Sequence, residues 1–154
     1  MKKLKKLLRL LSIACVVSSI AAPAMAYPFG RTSPLTIYSD RGGQVIRYAL
    51  QAKRMERDNR TIRFSGRCDS ACTVYLALPK RLTCVSQGAA FGFHLPYGSN
   101  PKGNKVAAQY MMRNYPSWVR NWIYAQGGLT HQTKVMDYSY TSRFLKPCAN
   151  AFSA

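Results

Sequence analysis

Between residues 35 and 96 the apolar positions of this chain switch repeatedly between a period of two and a helical period. Leu35-Thr36-Ile37-Tyr38 is a short β-prone run closed by Ser39-Asp40-Arg41-Gly42-Gly43, a turn that needs flexible backbone. From Gln44 to about Asp58, the residues Val45, Ile46, Ala49, Leu50 and Ala52 recur at helical spacing, and Asn59 offers a stop. Thr61 to Ser65 reads as a second strand. Ser70 to Leu78 reads as a small-residue helix ended by Pro79, with Asp69 or Ser70 placed to cap its start. Arg81 to Val85 and Ala89 to His94 are two further β-type runs joined by Ser86-Gln87-Gly88.

Beyond Pro96 the pattern changes. Tyr97 to Asn104 is rich in Gly, Pro and Asn and reads as a loop. Lys105 to Asn114 and Ser117 to Ala125 read as helices separated at Pro116, and Gly127-Gly128 stops the second. Thr130 is placed to cap a further short helix reaching about Tyr138, and Thr141 to Leu145 begins a last one. Strands alternating with helices, then a helical C-terminal part, predict an α/β fold with a mainly parallel sheet. In such a sheet the reactive groups are expected at the carboxyl ends of the strands.

The first residues belong to targeting rather than to the fold. Lys2, Lys3, Lys5, Lys6 and Arg9 precede an apolar run from Leu10 to Ala22, and Ala24-Met25-Ala26 supplies small residues before Tyr27. This layout predicts a secretory signal peptide over residues 1–26, with an apolar part too short for a membrane span. A lipoprotein site at Cys15 fits less well, because Ser12-Ile13-Ala14 is a poor lipobox. The mature chain, 27–154, is expected to be one exported, periplasmic or secreted domain with no membrane span.

Charge and cysteine content sharpen that picture. Removing the five basic residues takes the 23 Lys and Arg to 18, against five Asp and Glu, and the net charge from +18 to +13. A field of that sign attracts anions, although the charges are dispersed apart from a mild cluster from Lys53 to Arg67. The partners this leaves open are an anionic envelope surface and a further copy of the chain. A nucleic-acid or polyanion binder driven by charge is the weakest of the readings, because the charges are dispersed. Four cysteines remain after Cys15 leaves: Cys68, Cys72, Cys84 and Cys148. An even count in an exported chain predicts two disulfides, with three pairings open. Their spacing is a poor match to a zinc site. Three of the four surround Ser70, which predicts a braced segment there.

Serine, histidine and paired glycines carry the candidate chemistry. A serine hydroxyl needs a base to take its proton and pre-aimed donors for the oxyanion. Ser70 lies where a strand must bend into a helix, so the amide of Ala71 sits among the unpaired N–H groups of a helix start. Gly43 can offer a second amide from the neighbouring turn. His94, one of two histidines, closes a later strand and can serve as base. Each feature also has a plain reading: a helix cap, a tight turn, a loop histidine. His131 has no acid or cysteine near it in sequence and reads as a helix-surface residue. Tyr110, Tyr115, Trp118, Trp122 and Tyr124 are spaced for a packing face or a subunit contact. No metal-ligand cluster, phosphate-binding loop or paired-carboxylate pattern is present, so no metal or cofactor is expected.

The order Ser39-x-x-Gly42-Gly43, then Gly66-x-x-x-Ser70-Ala71, then Phe93-His94-x-Pro96 resembles the ClpP/crotonase superfamily. Within it, Cys68-Asp69-Ser70-Ala71-Cys72-Thr73 is similar to exported ClpP-like proteins that carry a Cys-x-Ser-Ala-Cys-Thr segment. The resemblance spans about Leu35 to Pro96. It implies a β-α spiral with Ser70 as nucleophile, His94 as base, and the amides of Gly43 and Ala71 as oxyanion donors. The resemblance implies a truncated spiral, with only Tyr27 to Pro34 expected before the first strand. The family's acid falls on Ser142, so Asp137 is the remaining candidate for a third member. The expectation is a hydrolase or peptidase cleaving an acyl or peptide bond. The alternative is a non-catalytic ClpP-like module for binding or assembly in the cell envelope. The core is expected over about 35–96 and the helical part over 105–148.

Overall fold

A computed structural model describes residues 33–149, so the predicted signal segment, its cleavage point and Cys15 lie outside the described residues. Strand β1 (Leu35–Asp40) leads through the double-glycine turn into helix α1 (Val45–Arg57) and then β2 (Ile62–Asp69). A 3₁₀ helix, Ser70–Ala77, and a short second one, Lys80–Leu82, precede β3 (Thr83–Val85) and β4 (Ala90–Phe93). Helices α2 (Pro101–Asn114) and α3 (Ser117–Ala125), strand β5 (Lys134–Met136) and helix α4 (Tyr138–Thr141) complete it.

The fold is α/β with a mostly parallel sheet. β2 lies at its centre, parallel to β1 on one edge. On its other edge it pairs with β3 along Ile62–Phe64 and with β4 along Arg67–Asp69. β3 and β4 thus act as one interrupted strand, and β5 adds antiparallel to β4. The register of β1 on β2 slips near Tyr38, where β2 carries one extra residue. Gly66 makes the slip feasible, since a Cβ there would stand 2.0 Å from the Tyr38 carbonyl oxygen. Such a bulge bends a strand and re-aims its end, and the end re-aimed here is the one that delivers Ser70.

The core gathers where the helices cover the sheet. Phe64 and Phe91 meet edge to face at 5.0 Å, and Phe93 meets Tyr115 in the same way at 5.7 Å, a favoured aromatic geometry. Ala49, Ala52 and Met55 bury one side of α1, and the two alanines are small enough to bring it close to the 3₁₀ helix, where Tyr48 packs on Tyr75. Trp118 stacks on Phe144 at 4.9 Å. Tyr115 and Trp118 are buried and Tyr124 is exposed, so the aromatic series of the C-terminal half serves mainly packing. Disulfides join Cys68 to Cys72 and Cys84 to Cys148. The first brackets Ser70; the second fastens β3 to the segment after α4, so two cysteines brace the serine rather than three.

Several local expectations are corrected. Residues 134–136 form a strand, not the helix expected from Thr130 to about Tyr138, because pairing with β4 satisfies their backbone groups. The last helix comes earlier than the expected Thr141 to Leu145 and is capped by Asp137. α2 begins at Pro101 rather than Lys105: the Asn100 side chain accepts the Gly103 N–H at 2.7 Å and proline fits the first turn. Neither Asp69 nor Ser70 caps the 3₁₀ helix through its side chain; the Asp69 carboxylate instead accepts the Arg67 Nε–H at 2.5 Å. Ile46 and Leu50, counted on the apolar face of α1, are exposed. His131 precedes β5 in a non-helical segment.

Candidate active site

Three strand ends converge on one cleft of about 750 Å3, lined by Gly42, Gly43, Ser70 and His94 and walled by residues of α1 and α2. The turn after β1 is built by Asp40. Its Oδ1 accepts the Gly42 N–H at 2.8 Å and the Tyr48 hydroxyl at 2.7 Å, an Asx-turn locked by a side chain one helical turn into α1. Burial, then the bond to Asp40, pushes the Tyr48 phenol well above its ordinary pKa, so it stays a donor. Gly42 spends its amide on Asp40. The Gly43 N–H takes part in no hydrogen bond among the described residues.

Gly42 also brings the two turns together. With φ at +81°, its α-carbon lies so close to the next turn that a Cβ would sit 2.6 Å from the Asp69 carbonyl oxygen and 2.7 Å from the Ala71 nitrogen. Only glycine fits there. The amides of Gly43 and Ala71 therefore belong to neighbouring backbone turns, and that of Ala71 lies in the first turn of a helix, where N–H groups lack intrahelical partners.

Ser70 takes φ of 55°, one of two non-glycine residues among those described with a left-handed backbone. Such a conformation costs on the order of 1–3 kcal/mol and persists only where the surroundings enforce it. The enforcing contacts are identifiable. The Cys68–Cys72 disulfide closes a loop around Ser70. Thr73 Oγ1 donates to the Ser70 carbonyl oxygen at 2.5 Å and, its proton spent, accepts from the Tyr115 hydroxyl at 2.5 Å. Tyr115 is fully buried, and burial raises its pKa, which keeps that proton in place. Ser70 itself is half-buried and lines the cleft.

His94 follows β4 and is 8% exposed. Its Nδ1 lies 2.7 Å from the Leu95 carbonyl oxygen. A carbonyl only accepts, so Nδ1 carries a proton, and in the neutral ring it is Nε2 that holds the lone pair a general base needs. The ring packs on Tyr97 at 5.3 Å. No hydrogen bond joins Ser70 Oγ to His94. Asp137 lies elsewhere: its carboxylate caps α4, accepting the Tyr140 N–H at 2.9 Å and the Ser139 hydroxyl at 2.8 Å. Those bonds hold its pKa below the usual carboxylate range, and no hydrogen bond links it to His94. Ser142, next to α4, donates to the Ser139 carbonyl.

Sequence reasoning missed Asp40, Thr73, Tyr115 and the Leu95 carbonyl. Asp40, two residues before a glycine, carried an Asx-turn signal. The Tyr115–Thr73 pair joins residues 42 apart and had no local signal. Among the described residues no group of three or more His, Cys, Asp or Glu is placed to hold a metal ion.

No family model matches the chain, and no curated protein matches it. Solved structures that resemble it include one described as an enzyme, at 10% identity and TM-score 0.49, covering 75% of this chain and 76% of that one. Another is a ClpP1 mutant from Listeria monocytogenes, at 16% identity and TM-score 0.42, covering 72% and 69%. A third is a peptidase from Plasmodium falciparum, at 8% identity and TM-score 0.47, covering 79% of each chain. Similarity of this extent leaves function to the chain's own residues.

Proposed function

We propose that this chain is an exported, ClpP-like serine hydrolase that cleaves an acyl or peptide bond through a Ser70–His94 dyad. The observation that carries the reading is the left-handed Ser70 backbone in the cleft that His94 also lines. Strain of this kind clusters at functional sites, and a serine on a tight strand-to-helix turn has its hydroxyl presented for attack. The ordered motifs from Ser39 to Pro96 and their spacing support the ClpP-like reading. Two disulfides and a basic, apolar leader support export into an oxidising compartment.

In the proposed reaction, Ser70 Oγ attacks the carbonyl carbon while His94 Nε2 takes the hydroxyl proton. The Gly43 and Ala71 amides hold the oxyanion. The bond to the leaving group then breaks, and His94 returns its proton to that group; water, deprotonated by His94, attacks the acyl carbon, the bond to Ser70 Oγ breaks, and His94 passes the proton back to that oxygen. The Leu95 carbonyl fixes the tautomer, a task an acid performs in a full triad. Separation of Ser70 from His94 in the free protein is compatible with this, since catalytic hydrogen bonds often close only around substrate.

The missing Ser70–His94 bond favours one other reading, a ClpP-like module that binds without catalysis. A fluorophosphonate probe separates the two. The oxidised protein is expected to be labelled on Ser70, with labelling lost in Ser70→Ala and reduced by about 10² or more in His94→Ala. Folded, oxidised protein that takes up no label would leave the binding module as the reading.

A further inference from the structure

Seven large apolar side chains are exposed among the described residues, and four of them share one region. Tyr97 (77% exposed), Ile46 (62%) and Val106 (57%) line the cleft, and Leu50 lies one helical turn beyond Ile46 in a second, smaller groove with Arg47, Arg54, Arg60 and Asp58. Cations flank them along both helices. On α1 the stripe Ile46, Leu50, Lys53, Arg57 runs at helical spacing, and on α2 the stripe Lys102, Val106, Gln109, Arg113 does the same. Arg41 is the one charged residue lining the cleft, and none of the five carboxylates lines it. Asp58 is paired with Arg57, Asp69 with Arg67, Asp40 holds the turn after β1, and Asp137 caps α4, which leaves Glu56 on α1 as the one exposed carboxylate without a partner among the described residues.

We infer that this face, the mouth of the cleft with the outer sides of α1 and α2, docks on an anionic lipid bilayer. Exposed apolar side chains flanked by Lys and Arg have the composition of an interfacial contact, where apolar groups enter the headgroup boundary and cations meet lipid phosphates. A second copy of the chain is the worse occupant. Joining two such faces would set Arg41, Arg47, Lys102 and Arg113 against cations of the same kind, with no carboxylate in the cleft to answer them. The inference is independent of catalysis, so Ser70→Ala is expected to dock like the parent.

The test uses the chain from Tyr27, which keeps every described residue, and vesicles of mixed phosphatidylglycerol and phosphatidylcholine or of phosphatidylcholine alone. Cosedimentation is expected on the mixed vesicles, about tenfold or more weaker on phosphatidylcholine alone and at about 0.5 M salt. Ile46→Ser/Val106→Ser is expected to weaken it about tenfold with an unchanged circular dichroism spectrum. Tyr97→Ser, in the loop after His94, gives the same direction should the double variant fail to fold. Absence of binding overturns the inference. Binding that ignores all three substitutions also does, because it reduces the contact to bulk charge. Self-association abolished by the double variant, with vesicles left unbound, would hand the face to a second copy.

Discussion

Gly42 and Ser70 are packed so closely that a Cβ on Gly42 would stand 2.8 Å from the Cβ of Ser70. The turns after β1 and β2 therefore meet only because residue 42 has no side chain. Alanine there must shift the Asp69–Ala71 backbone and also adopt a φ of +81°. Gly42→Ala is expected to cost about 1–3 kcal/mol and to abolish probe labelling. Denaturant midpoints and labelling rates measured together check this. A stable variant that labels normally would show that the contact does not position Ser70.

The Thr73–Tyr115 pair has a direction that mutagenesis can read. Tyr115→Phe removes one donor but leaves Thr73 bonded to the Ser70 carbonyl, at a cost of about 1 kcal/mol. Thr73→Val takes away that bond and strands a buried phenol, at about 1–3 kcal/mol. Thr73→Val is thus expected to lower the urea midpoint more, and to slow labelling more. Equal losses would mean that the hydroxyls do not act in series on Ser70.

Asp137 offers a pH signature. Its folded pKa is depressed by the Tyr140 N–H and the Ser139 hydroxyl, so its contribution is full at neutral pH and fades as pH falls through that lowered value. Asp137→Ala should lose the helix cap and flatten the acid limb of the stability curve. Asp137→Asn retains a capping side chain and is expected to label within about twofold of the parent, since Leu95 rather than Asp137 fixes the His94 tautomer. A fall on the order of 10⁴, as when an orienting acid is removed, would return Asp137 to the site.

Tyr75 contributes to the alkaline side together with Tyr48 and Tyr115, whose phenols are also raised. Burial, followed by the charge of Asp40, pushes the Tyr75 phenol up to about 12, whereas an unfolded chain releases that proton near pH ~10. The folded state therefore holds a proton that the unfolded state has lost. Stability should be full below about pH 10 and fall as pH rises toward 12. Urea midpoints at several alkaline pH values, with tyrosinate absorbance followed in parallel, test this. Tyr75→Phe should make the slope shallower.

Local signals made much of this legible. Ser117–Ala125 stands where its flanking Pro and Gly residues put it, and the order of turn, serine and histidine led to strand ends that do line one cleft. What escaped depends on partners distant in sequence. Lys134–Met136 is too short to show a period and is a strand only because Phe91–Phe93 pairs with it. Ile46 and Leu50 have the spacing of a buried face, yet Ala49, Ala52 and Met55 are the residues that α1 buries. The 3₁₀ helix, closed by Cys68–Cys72 and held by Tyr115, likewise owes its geometry to partners outside its own periodicity.

The Cys84–Cys148 bond closes residues 84–148 into one covalent ring. The exposed loop from Tyr97 to Asn100 lies within that ring. A protease cutting there would open the ring without releasing a fragment, and β4 and α2 would stay tethered through β3. Such a nick would be invisible on a non-reducing gel and would show two pieces on a reducing one. The protein could thus be cut beside its cleft and still travel as one molecule.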